Sequence, residues 1–162
     1  MGNTLKQMYD LERLTLLTFD NITIAFPQSH ILTIENLDLM SSLLTTEKSS
    51  GTLTYNSKEI PVYTFNRNLT MQAQPAATNR FCIAVKHSLE NECFAIMCDE
   101  VNQYQLEEAA ATAMTAVPLI MYNSSSPIVG LSIKENTLIL ISTAELMRIY
   151  INSQDPSNKE AL

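Results

Sequence analysis

The chain has 162 residues, 46% of them hydrophobic, and a mean hydropathy near zero, which suits one domain or two small subdomains sharing a sizeable core. Ten Lys and Arg stand against 17 Asp and Glu, a net charge of -7, and the cations are scattered singly, so phosphate backbones and anionic lipid are repelled and a nucleic-acid partner is not expected. The first ten residues hold no apolar signal core, and the weakly polar run 109–121 is short for a bilayer and contains Pro118; a soluble, cytoplasmic chain without membrane insertion is expected.

Leu5, Met8, Leu11, Glu12 and Leu14 have the spacing of a short amphipathic helix. Strands are predicted over 15–19 and 22–26, joined by Asp20-Asn21 and stopped by Pro27. The stretch H-I-L-T-I-E, residues 30–35, predicts another strand, with Ile31 and Thr33 on one face, while 36–44 is apolar without a clear period. Residues 51–65 read as a hairpin that rises through Leu53 and Tyr55, turns over Asn56-Ser57-Lys58 and descends through Ile60, Val62, Tyr63 and Phe65. Pro61 has no N–H, so its strand is expected to lie at an edge or to bulge there.

A connecting loop over 66–79 leads to a hairpin of 81–85 with 93–98, whose exit is Asp99-Glu100-Val101. Glu107, Glu108 and five alanines favour a helix over 105–116. Residues 127–133 and 137–141 flank a Lys134-Glu135-Asn136 turn. Ser142-Thr143-Ala144-Glu145 has the S-x-x-E form of a capping box, opening a helix over 143–151 that buries Leu146, Met147 and Tyr150. Residues 153–162 read as a flexible tail. Gly51 and Gly130 each open a hairpin, and Ile60 and Val62 match Ile139 and Ile141 at the same offset, as in two similar β subdomains. Many short strands with close turns point to small barrels.

Catalytic groupings are not apparent. There is no nucleophile elbow, phosphate-cradling glycine loop or H-E-x-x-H, and three glycines are too few for loops built around phosphates. Cys82, Cys93 and Cys98 lie in apolar strands and lack metal-ligand spacing, so no metal and no cofactor is expected. His30 and His87 have no orienting third group. A thiol-dependent enzyme using Cys93 or Cys98, or Cys82 or Cys93 with His87, stays as an alternative.

The order of these segments resembles the CheW-like chemotaxis coupling proteins. The resemblance rests on F-D-N-I-T-I-A-F-P-Q-S-H-I-L-T-I-E at 19–35, T-Y-N-S-K-E-I-P-V-Y-T-F at 54–65, A-I-M-C-D-E-V at 95–101 and P-I-V-G-L-S-I through L-I-L-I-S-T-A-E-L-M at 127–147. It implies an all-β fold of two small five-stranded SH3-like barrels packed together, with a short C-terminal helix and no enzymatic activity. One domain over 1–152 is implied, its subdomains approximately 15–66 with C-terminal contributions, and 80–141. The implied partners are a histidine kinase regulatory domain and a chemoreceptor signalling tip, in a bacterial chemotaxis or twitching (pilus-type) pathway. The partner-binding residues implied are Ile31, Thr33 and Glu35 on the early strand and Asn56, Ser57 and Lys58 at the hairpin turn. The chain departs from the family's N-L-R-G-x-x-I-P-V-x-D-L pattern: Asn56 replaces Arg, Ser57 replaces Gly and Thr64 replaces Asp, and the loss of the guanidinium fork puts contacts made through it in question. A β-barrel interaction module outside chemosensing is therefore the other alternative.

Overall fold

Three dipeptides set the local frame. Asp20-Asn21, Asn56-Ser57 and Glu135-Asn136 all have positive φ at both residues, from 46° to 67°, the condition for two-residue type I′ hairpin turns whose twist matches that of the flanking strands. Lys58 and Lys134, read from sequence as turn residues, are instead strand residues, because the two-residue turn closes one position earlier. Ser57 is poorly suited to the left-handed region. Ser57→Gly is expected to raise stability by about 1 kcal/mol; a lower melting temperature in the variant would contradict this account of the turn.

The computed structural model describes residues 13–37, 51–86, 92–105, 115–116 and 127–154. Twelve strands are present among them: β1 (Arg13–Phe19), β2 (Ile22–Pro27), β3 (Ile31–Asn36), β4 (Gly51–Tyr55), β5 (Lys58–Phe65), β6 (Met71–Gln72), β7 (Phe81–Lys86), β8 (Cys93–Cys98), β9 (Glu100–Gln105), β10 (Thr115–Ala116), β11 (Ile128–Lys134) and β12 (Thr137–Ser142). A helix, α1 (Ala144–Gln154), follows. The first sheet has the order β10-β11-β12-β2-β1-β9, and the second β3-β7-β8-β5-β4, with β6 paired to β5.

Without the two-residue strands β6 and β10, the sheets are β9-β1-β2-β12-β11 and β3-β7-β8-β5-β4. Each carries two antiparallel contacts, one parallel and one antiparallel, in that order. The Gly51/Gly130 echo has this origin: Gly51 pairs with Val62 and Gly130 with Ile141, at equivalent rungs of β4–β5 and β11–β12. Gly51 has φ 151° and is buried, a combination that favours the residue without a β-carbon. The halves also exchange strands. After β2 the chain crosses through a 3-10 turn, Gln28–His30, to β3 in the second sheet, and after β8 it crosses at Asp99 to β9 in the first. The sheets therefore do not follow the sequence blocks 15–66 and 80–141: β3, β4 and β5 lie with β7 and β8, and β9, β11 and β12 with β1 and β2.

Alternation along the strands divides the core into three. Leu14, Leu16, Ala25, Ile139 and Ile141 fill the first barrel, and Leu53, Ile60, Val62, Cys82, Ala84, Ala95 and Met97 fill the second. The alternate residues, among them Leu17, Ile24, Phe26, Tyr63, Phe65, Ile83, Phe94 and Ile96, form a shared core between the sheets, where α1 adds Met147, Tyr150 and Ile151. F-C-I-A-V and C-F-A-I-M-C read as near-continuous apolar runs because both faces of β7 and β8 are covered. The fold is thus all-β, two small five-stranded SH3-like barrels packed together with one C-terminal helix.

Several local expectations change. Leu14 is a strand residue of β1, and the predicted helix before it lies outside the described residues. Gln105 ends β9, and Thr115–Ala116 forms β10, so the segment predicted as a 105–116 helix has strand at both ends; 106–114 lies outside the described residues. β9 reads E-V-N-Q-Y-Q, an edge strand too polar for its period to be seen. The helix cap is Thr143, whose Oγ1 accepts from the Leu146 N–H at 3.2 Å; Ser142 donates its hydroxyl to the Pro127 carbonyl at 2.8 Å. Leu146 is half-buried, and Ala144 and Ile151 are buried beside Met147 and Tyr150. The Tyr150 hydroxyl donates to the Leu69 carbonyl and fastens α1 to the 66–72 connection.

Candidate functional site

β5 is an interior strand, yet Pro61 is accommodated. Counting from the two-residue turn, Thr52↔Pro61 is a non-hydrogen-bonded pair, so the Pro61 nitrogen points away from β4, and the parallel ladder to β8 starts only at Val62↔Ala95. The first half of β5 is thus locally an edge. Beside it, Lys58, Pro61 and Tyr63 of β5, Glu92, Cys93 and Phe94 at the start of β8, and Arg148, Ile151 and Asn152 of α1 line an open groove of about 400 Å³.

The groove has an apolar floor and a charged rim. Tyr63, Phe94 and Ile151 are largely buried and Pro61 half-buried, while Lys58 is exposed. Arg148 Nη1 holds Glu92 Oε2 at 3.1 Å, and Lys58 Nζ lies 3.9 Å from Cys93 Sγ.

The six residues singled out from sequence fall in two places. Asn56 and Ser57 form the exposed hairpin tip, and Lys58, next along, reaches the groove. Asn56 is among the residues best suited to a left-handed turn position, which accounts for it without any partner. Ile31, Thr33 and Glu35 lie on β3, at the other edge of the sheet from β4, with β7, β8 and β5 between. Thr33 Oγ1 donates to Glu35 Oε1 at 2.9 Å, so these two share a face as expected. Ile31 does not. A register shift between Ile31 and Thr33 sets them opposite Val85 and Ala84, neighbours that point to opposite faces, and Ile31 packs toward the shared core.

Arg148, Glu92, Phe94, Ile151 and Asn152 were not legible as site residues. The signal available was the helical spacing of Arg148, Ile151 and Asn152, which share one face of α1; which strands that face meets depends on the packing of α1 across the sheets.

The thiols divide by burial. Burial pushes Cys82 up to about 12, with the charge of Glu35 adding to it, and raises Cys98, with Cys82 and Asp99 adding less. Both are neutral near pH 7 and unsuited to nucleophilic attack. Cys93 is half-buried. His87, the proposed base, lies outside the described residues. His30 Nδ1 accepts from the Ala144 N–H at 3.2 Å and so helps seat the start of α1. Among the described residues there is no group of three or more His, Cys, Asp or Glu placed to hold a metal, and no helix is long and apolar enough to cross a membrane.

No family model matches the chain, and no curated protein matches it in sequence. Among solved structures, it is similar to the scaffolding protein TtCheW from Thermoanaerobacter tengcongensis, with a TM-score of 0.59 and 14% sequence identity, over 81% of this chain and 88% of that one. At that identity the likeness is one of fold, and it extends over most of both chains.

Proposed function

We propose that this protein is a non-enzymatic scaffold that couples chemoreceptors to a sensor histidine kinase in a bacterial chemosensory pathway, of the chemotaxis or the twitching (pilus) type. The observation that carries the reading is the paired-barrel topology, with its reciprocal exchange of β3 and β9, in a chain similar over 81% of its length to a solved scaffolding protein. The neutral, buried Cys82 and Cys98 weigh against a thiol enzyme built on either of those two residues. In this reading the kinase regulatory domain and the receptor tip meet two separate surfaces, the β3 edge around Thr33 and Glu35 with Ile31 behind it, and the Asn56-Ser57 tip with the adjoining Lys58 of β5. A scaffold needs such separation to hold two partners at once.

Pull-down of the full chain with the cognate kinase regulatory domain and with a receptor signalling tip tests the proposal. Retention of both at micromolar concentration is expected, and retention of neither rejects it. Asn56→Arg tests the tip alone. A guanidinium there is expected to tighten binding about tenfold, or ~1.4 kcal/mol, at a stability cost of about 1 kcal/mol for Arg in a left-handed turn. Unchanged affinity would remove the tip from the contact. The departures at Asn56, Ser57 and Thr64 favour the second reading, a protein-interaction module outside chemosensing, and binding to neither partner would leave that reading in place.

A further inference from the structure

A thiol and an amine meet at the mouth of the second barrel. Along β5, Lys58 falls on the face of Ile60 and Val62, which belong to that barrel's core, and Cys93 of β8 packs against the same core. The two strands are not yet paired at this level, since their parallel ladder starts only at Val62↔Ala95. Side chains bridge the gap instead. The Lys58 ammonium donates to Cys93 Sγ at 3.9 Å, joining positions 35 apart in the chain.

Access separates this thiol from the other two. Cys82 and Cys98 have no exposed surface, whereas Cys93 is half-buried beside an exposed Lys58 and lines the open groove. Oxidation of a thiol follows its exposure, and the sulfenic acid that results is electrophilic at sulfur and condenses with a nearby nitrogen. Lys58 Nζ stands a few tenths of an ångström beyond a near-attack separation from that sulfur, a distance that an exposed, flexible lysine closes by a change of rotamer.

We infer that Lys58 and Cys93 form a redox-responsive crosslinking site, in which oxidation by hydrogen peroxide joins Nζ to Sγ. The Cys93 thiol is first oxidised by two electrons to a sulfenic acid, and the peroxide is reduced to water. Lys58, its ammonium proton given up to solvent, then attacks the sulfur as a neutral amine. The S–N bond forms, the S–O bond breaks, and the hydroxyl leaves as water with an amine proton. A reducing thiol reverses the link through a mixed disulfide and releases the amine. The link closes the opening between β5 and β8 ahead of their ladder, at the edge of the groove, and converts the Lys58 ammonium to an uncharged nitrogen. It forms within one chain and does not depend on which partner the protein binds.

Treatment of the full chain with hydrogen peroxide, followed by mass spectrometry, tests it. The oxidised protein is expected to be about 2 Da lighter, through loss of two hydrogens. Trypsin should no longer cut after Lys58, and a peptide containing Lys58 should be joined to one containing Cys93. Dithiothreitol should restore both the mass and the cleavage. Closing a 35-residue loop is expected to raise the melting temperature by roughly 5–10 °C. Lys58→Gln and Cys93→Ser, at positions that are not fully buried, should both lose the link, and the first should instead hold a Cys93 sulfenic acid that reacts with dimedone. Lys86, opposite Cys93 on β7, is the control amine, and Lys86→Gln should link as the wild type does. A wild type that only gains oxygen, a link that persists in Lys58→Gln or runs to Lys86, or one that leaves the melting temperature unchanged each overturns the proposal.

Discussion

Replacing Phe26 with alanine is expected to lower the unfolding free energy by about 3–5 kcal/mol and to leave a single cooperative transition. Phe26 is fully buried in the core shared by both sheets, so its deletion opens a cavity that neither barrel can close alone. For a chain of this size, a loss of that order should lower the melting temperature by roughly 6–20 °C. The stronger test is cooperativity. Ile60→Ala empties the second barrel and Ile141→Ala the first, each at a cost of about 2–5 kcal/mol. Since β3 and β9 are exchanged between the halves, all three variants should melt as one unit, with probes in each sheet giving the same midpoint. Distinct midpoints for the two sheets would show that the barrels are separable and would contradict the role assigned to the shared core.

The second large effect concerns alkali. Cys82 and Cys98 are raised by burial, and Tyr150 is raised by burial against a smaller lowering from its hydrogen bond with Gln154. For an acid whose folded pKa lies above its unfolded value, the unfolded chain loses its proton first. The contribution to stability is therefore complete below the unfolded thiol pKa of about 8.5 and declines as pH rises from there toward the folded values, about 12 for Cys82. Each buried neutral thiol loses at most ~1.4 kcal/mol per pH unit across that window, so the two together should lower stability by about 2 kcal/mol between about pH 9 and about pH 10. Urea midpoints over this range give the slope. Cys82→Ala/Cys98→Ala should flatten it even though the variant is less stable at neutral pH. An equal slope in the variant would place the alkaline loss elsewhere. The same burial predicts that only Cys93 reacts promptly with a thiol reagent in the folded protein.

Much of the fold was open to a reading of the residues because its determinants are local. The turn pairs and β-branched runs give the hairpins β1–β2, β4–β5, β7–β8 and β11–β12, and matched spacing gives the Gly51/Gly130 echo. Polar β9 and the two-residue β6 and β10 were missed, since a strand that borrows its partners from an established sheet edge has little pattern of its own. The cap shifted from Ser142 to Thr143 because the Pro127 carbonyl, 15 residues away in the chain, takes the Ser142 hydroxyl.

The site was legible only in part. Lys58 was identified beside the tip, but Arg148 and Glu92, its neighbours on the groove, lie far off in sequence and carry no pattern that pairs them. Ile31 was placed with Thr33 by simple alternation, and the register shift in β3 reverses that, which depends on how β3 meets β7.

What the sequence determined by itself is the class of protein: all-β, hairpin-rich, acidic and without a catalytic motif, all set by short-range periodicity, turn chemistry and composition. What tertiary structure decided is which strands share a barrel, where β3 and β9 cross over, which cysteines are buried and which charges meet at the groove. Those outcomes follow from burying both faces of β7 and β8 at once. That condition links residues as far apart in the chain as Leu17 and Ile151, and no local pattern in the chain encodes it.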